Sequence, residues 1–222
     1  MNKLNAFIRI GLSVLLLSVA TIASAEDLNP PQKVIQDTSE LLYNIVKNDK
    51  EKLANRDYVF QLVNDVLEPR VDLEKISKLV LGKYWRKATD EQKTQFQKEF
   101  KDLFVNTYAT AFNEFGEWTV HFLPMTLDPT QTRIIVKTEI IQPSRPPVAV
   151  NYRMAINKEG KWKAYDVIIE GISMVTNYKS SFATTIKNAG GLDKVIQQLA
   201  DKNKQSEEAA SQLAFDKASS KS

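Results

Sequence analysis

Residues 161–199, KWKAYDVIIEGISMVTNYKSSFATTIKNAGGLDKVIQQL, decide the fold, because one hydrophobic period gives way to another within them. Trp162, Tyr165, Val167, Ile168 and Ile169 form a run of aromatic and β-branched side chains, which reads as a strand. Gly171 breaks the run. From Ile172 the spacing turns helical, with Ile172, Val175, Phe182 and Ile186 on one side. Gly190-Gly191 ends that helix, since glycine takes the left-handed conformation without a Cβ clash. A last short helix is expected over about Asp193–Leu199. A strand that hands the chain to a helix lying back over the sheet describes a half-open sheet with a helical cover, a shape suited to enclosing apolar space.

Three more strands precede this one. Glu117–Leu123 alternates, with Trp118, Val120 and Phe122 on one face. Arg133–Ile141 groups Ile134, Val136, Thr138 and Ile140, and Val148–Ile156 groups Val148, Val150, Tyr152, Met154 and Ile156. Turn residues separate them: Asp128-Pro129, Pro143 to Pro147, and Asn157 to Gly160. Alternation means one apolar and one wet face, as in an antiparallel sheet. Helices come earlier. One follows Pro30-Pro31 to about Lys47, a second covers about Tyr58–Leu67 and stops before Pro69, and Asp72 caps a third that ends near Gly82. Helices, then strands, then a returning helix read as α+β: an antiparallel meander of about four strands covered by helices.

The strongest helix signal is Thr89-Asp90-Glu91-Gln92, a capping box, with Gly116 as its stop. Between them Phe96, Phe100, Leu103, Phe104, Tyr108, Ala111, Phe112 and Phe115 cover about half the helix circumference, wider than the ~100° stripe of a surface helix. More than a sheet must cover this helix, and the cover is either another helix or an apolar ligand.

Residues 1–25 read as a secretory signal. Lys3 and Arg9 form a basic start, Ile10 to Ile22 an apolar segment, and Ala23-Ser24-Ala25 a small-residue cleavage site, with cleavage expected after Ala25. The apolar segment is shorter than the ~20 residues of a membrane span. Removing two basic residues from a net charge of +3 leaves +1, which argues against a nucleic-acid binder held by phosphate contacts. The expected organisation is a signal peptide (1–25), one domain (26–203) and a polar disordered tail (204–222).

Catalytic chemistry is sparse. With no cysteine, Cys-His catalysis and Cys-containing zinc sites are excluded. The one histidine, His121, lies on the polar side of its strand. Neither glycine-rich phosphate loop occurs. Asp166, set in an apolar strand, is the one candidate general base, although a buried carboxylate is ordinarily satisfied by amides or cations.

The strings W-K-x-Y-D-V-x-I-x-G-I-S from Trp162, N-Y-x-x-x-F from Asn177 and G-G-L-D-x-V-I-x-x-L from Gly190 resemble the MlaC family of periplasmic phospholipid carriers, also called the toluene-tolerance auxiliary component. Gly82-Lys83-Tyr84-Trp85-Arg86, Ala88 to Gln92, Phe96, Phe100 and Tyr108 agree, so the resemblance spans about residues 30–200. It implies a cone of the nuclear-transport-factor-2 type with an internal apolar cavity for acyl chains. It also implies a monomeric periplasmic carrier that needs no cofactor and holds phospholipid as cargo. Its partners would be an outer-membrane lipoprotein–porin complex and an inner-membrane ABC transporter with its substrate-binding subunit, and its task the maintenance of outer-membrane lipid asymmetry. The lining candidates are Phe100, Phe104, Tyr108, Val136, Val150, Tyr152, Val167, Ile169 and Val175. The competing reading is a small enzyme on the same cone, an isomerase or dehydratase, using Asp166 with Tyr152 or Tyr165. The glycine-flanked helix after Gly171 is the expected moving cover.

Overall fold

A computed structural model describes residues 28–108 and 116–219. The expected signal segment, and Ala111, Phe112 and Phe115 of the aromatic stripe, lie outside the described residues. Helix α1 (Pro30–Asn48) starts with its two prolines in the first turn, and Asn29 and Gln32 close a capping box, the Asn29 N–H donating to Gln32 Oε1 at 2.9 Å. Helix α2 (Arg56–Leu62) is capped by Asn55, whose side chain accepts from the Tyr58 N–H. One π turn (Val63–Leu67) and a tight 3-10 turn (Glu68–Arg70) follow, so Pro69 bends the chain without stopping it at Glu68. Helix α3 (Leu73–Leu81) begins at Asp72, which accepts from the Lys75 N–H, and ends at Gly82 with φ +54°. Helix α4 (Asp90–Tyr108) opens on the expected box: the Thr89 N–H donates to Gln92 Oε1 at 3.0 Å, and the Gln92 N–H to Thr89 Oγ1 at 3.2 Å.

Strands β1 (Thr119–Phe122), β2 (Arg133–Ile141), β3 (Val148–Ile156), β4 (Trp162–Ile169) and β5 (Ile172–Ser173) form a five-stranded antiparallel sheet in sequential order. The meander is as expected, with one strand more. After the Glu170-Gly171 reversal, both residues at positive φ, the chain pairs back on β4 before it turns helical. Ile172 is therefore a strand residue, 63% exposed, and not on the inner side of a helix. The returning helix α5 (Met174–Ala189) turns Val175, Phe182 and Ile186 inward. Gly190 at φ +82° ends it.

The last helix is the largest departure from expectation. Helix α6 runs from Leu192 to Ser219, where the sequence suggests a helix to about Leu199 and a disordered tail from residue 204. Its first turns are anchored by Val195, Ile196 and Leu199 in the core. Farther on Lys, Glu, Gln and Ala predominate, poor core formers but good helix formers, with i,i+4 partners such as Lys204–Glu208 and Gln212–Asp216.

The core forms three clusters. One joins α3, α4, α5 and α6 through Val80, Phe96, Phe100, Phe182, Ile186 and Val195. A second joins α1, α2, its π turn and α4 through Val46, Val59, Val63 and Val105. The third seats Ile35 of α1 on the sheet against Val136, Met154 and Ala164. Helix α4 thus meets other helices on two sides, which accounts for its wide apolar surface. In β4 the register shifts by one residue at Tyr165: Arg153 pairs with Asp166, but Met154 pairs with Ala164. This bulge puts Ala164 and Val167 on the same face although their numbers differ by three.

Candidate functional site

The three clusters do not meet. Between them lies a cavity of about 410 Å³, within the ~300–1,000 Å³ range of small-molecule sites. Val59, Val63, Leu67 and Val71 line it from α2 and the turns after it, and Leu73, Ile76 and Val80 from α3. Phe100, Lys101, Phe104 and Val105 come from α4, Ala164, Asp166, Val167 and Ile169 from β4, and Met174, Val175 and Tyr178 from α5. The β4 bulge is what allows Ala164 and Val167 to share this wall.

Five predicted residues, Phe100, Phe104, Val167, Ile169 and Val175, come together here. Val136, Val150 and Tyr152 do not. Val136 and Tyr152 share a cross-strand row with Val167, but that part of the sheet is covered by α1. Val150 is buried one row along without reaching the wall. The Tyr108 side chain lies outside the described residues. The residues missed are those of α2, the π turn and α3, together with Glu68, Val71, Lys101, Val105, Ala164, Met174 and Tyr178.

Phe104 and Ile169 are large apolar residues that stay 39% and 40% exposed, and they mark where the wall opens to solvent. The charged residues of the described wall are three: Glu68, Lys101 and Asp166. Lys101 Nζ lies 3.0 Å from Glu68 Oε2 and donates to Asn64 Oδ1 at 3.0 Å, so an ion pair links the turn after α2 to α4 across the cavity edge. Asp166 is 3% exposed and fully engaged. It accepts from the Val175 N–H at 3.0 Å, from Ser173 Oγ at 2.6 Å and from Arg153 Nη1 at 2.9 Å. It therefore acts with Ser173 as a cap on α5 and ties that helix to β4. Tyr152, half-buried under α1, has its hydroxyl pushed up to about 12 by desolvation. Exposed His121 pairs with Glu139 at 3.2 Å. Among the described residues no group of three His, Cys, Asp or Glu could hold a metal ion, and no helix is long and apolar enough to cross a membrane.

A wall this apolar, closed by a capped helix returning from a meander, has a known counterpart. The sequence model of the MlaC protein family matches residues 36–201. The chain belongs to the MlaC family. It is 31% identical over 194 residues to the toluene tolerance protein ttg2D of Pseudomonas putida, covering 86% of this chain and 88% of that protein. The intermembrane phospholipid transport system binding protein MlaC of Haemophilus influenzae is 26% identical over 169 residues, 75% of this chain and 78% of its own length. A solved structure, the phospholipid-binding protein of Ralstonia solanacearum in complex with a phospholipid, superposes with a TM-score of 0.74 at 31% identity. That match covers 80% of this chain and 99% of the other.

Proposed function

We propose that this chain is a periplasmic phospholipid carrier, exported by a signal peptide cleaved after Ala25, that holds acyl chains in the cavity between α2, α3, α4, α5 and β4. It would pass lipid between an outer-membrane lipoprotein–porin complex and an inner-membrane ABC transporter with its substrate-binding subunit, and so maintain outer-membrane lipid asymmetry. The observation that carries the reading is the cavity wall, uncharged except for Glu68, Lys101 and the fully bonded Asp166. The relatives named for phospholipid binding and transport support it.

The energetics suit a carrier. Each buried methylene is worth about 0.8 kcal/mol, so two chains of ~16 carbons imply on the order of 20 kcal/mol gross. Most of this only replaces what the lipid leaves behind in its bilayer. A carrier needs near-equality with the membrane, because a much tighter site would not unload. It needs no catalytic group and no cofactor. The general-base alternative gains nothing from Asp166, whose carboxylate is occupied by a cap, a hydroxyl and a guanidinium.

Organic extraction after incubation with phospholipid vesicles, followed by mass spectrometry, tests the reading. Phospholipid at near one molecule per chain is expected. Its consistent absence would sink the proposal.

A further inference from the structure

We propose that Lys101 is the phosphate contact of the cavity: its ammonium takes a phosphodiester oxygen of a phospholipid whose acyl chains lie within, in exchange for Glu68. The inference rests on the carrier reading and adds to it the group that recognises a headgroup.

Four observations lead there. Lys101 is the one cation among the described wall residues. It sits where the wall meets solvent, with its side chain 25% exposed and that of Glu68 47% exposed. Phe104, three residues on along the same helix, is an exposed apolar edge of the opening, so a chain passing inward beside it brings its glycerol end to Lys101. The ammonium has three hydrogens, and Glu68 and Asn64 take two, leaving the third without a partner among the described residues.

The neighbouring charges do not compete. The Arg70 guanidinium donates to the Val66 carbonyl oxygen at 2.7 Å and is not in the wall. Lys98 pairs with Glu99 and Asp102. Asp166 is an anion already saturated by its own donors, and offers phosphate nothing. The incoming phosphate replaces Glu68 on the lysine, and the half-exposed Glu68 side chain turns to water. A charge-assisted hydrogen bond in a partly desolvated site is among the stronger single contacts a headgroup can make.

The test offers the protein two lipids with the same acyl chains and glycerol backbone, one with a phosphodiester headgroup and one without. Full-length protein is incubated with vesicles of dioleoylphosphatidylglycerol doped with dioleoylglycerol, and the retained lipids are quantified by mass spectrometry. Wild type should enrich the phospholipid over the diacylglycerol about tenfold relative to the vesicle, the scale of one such hydrogen bond. Lys101→Met should bring the ratio close to that of the vesicle. Lys101→Arg should restore it, and Lys98→Met should leave it alone. Wild-type enrichment in Lys101→Met overturns the proposal. Equal uptake of both lipids by wild type overturns it too, while leaving the carrier reading intact. Uptake of neither lipid overturns the carrier reading, and this inference with it. Calorimetric titration of delipidated protein with inorganic phosphate should show no binding. Lys101-dependent binding of free phosphate without phospholipid enrichment would assign the site to a soluble anion and overturn the lipid assignment.

Discussion

The backbone N–H of Val175, in the first turn of α5, donates to Asp166 Oδ1 on β4 at 3.0 Å. The contact fastens the returning helix to the sheet. It also bears on the expectation that this helix is the moving cover. Gly171, Gly190 and Gly191 do flank it at positive φ. Yet its start is held by a buried carboxylate, and Phe182 and Ile186 are set in the core.

Asp166→Ala leaves the Val175 amide, the Ser173 hydroxyl and the Arg153 guanidinium without their shared acceptor. Removing one partner of a buried charge network costs roughly 3 kcal/mol or more. Urea unfolding should show a lower midpoint with an unchanged m-value. A loss under 1 kcal/mol would mean the cap is dispensable.

Asn203 holds α6 against α4. It is buried, its Nδ2 donates to the Glu99 carbonyl oxygen at 3.0 Å and to Glu99 Oε2 at 2.8 Å, and its Oδ1 accepts from Asn106. Asn203→Ala is expected to cost about 1–3 kcal/mol through the groups it orphans. Among the described residues a chain ending at Lys204 loses exposed pairs and the 4.0 Å Arg56–Glu207 contact, so it should stay within ~1 kcal/mol of full length and keep its lipid. Lipid loss on truncation would show that the distal part of α6 covers the cavity.

Tyr152 gives a signature in alkali. Burial raises its hydroxyl to about 12, above the ordinary 10, so the fold favours the protonated form. That contribution is whole below pH 10 and disappears as pH rises from 10 through about 12. Two units correspond to roughly 2–3 kcal/mol. Tyr152→Phe should therefore lose less stability than wild type between pH 10 and 12, measured as the difference in urea midpoints. Parallel curves would contradict the burial of this hydroxyl.

Val167→Trp fills the cavity from its β4 wall, whereas Ile135→Trp adds the same ring to the open face of the sheet, where Ile135 is exposed. The first should lower phospholipid occupancy severalfold at a stability change of about 1–3 kcal/mol. The second should leave occupancy alone. Equal occupancy in both variants would move the acyl chains out of this cavity.

Much of the fold was legible because its signals are local. Strands β2 and β3 run over the residues that the alternation marks. The Thr89–Gln92 box and Asp72 begin helices where their side chains predict. A two-residue strand such as β5 carries no periodicity, and so was not legible. The distal part of α6 is polar, and polarity alone does not separate a solvated helix from disorder. The site was half legible for a different reason. Alternation correctly gives Val136, Tyr152 and Val167 one face, but which part of that face stays uncovered depends on where α1 lies across the sheet. That is a long-range packing outcome with no local trace. The bulge at Tyr165 compounds it, since strict alternation puts Ala164 on the wrong side.

The gap between the three core clusters has a thermodynamic side. A void costs about 24 cal/mol per Å³, so 410 Å³ left empty forfeits at most on the order of 10 kcal/mol, less where the mouth admits water. That is as large as the whole stability of an ordinary domain. Cargo in this fold is thus a removable portion of the hydrophobic core. By mass action the filled chain resists unfolding and the vacant one is exposed to it. For the proposed carrier, unloading is then the most hazardous moment of the cycle, and the folded population would follow the supply of lipid as well as the rate of synthesis.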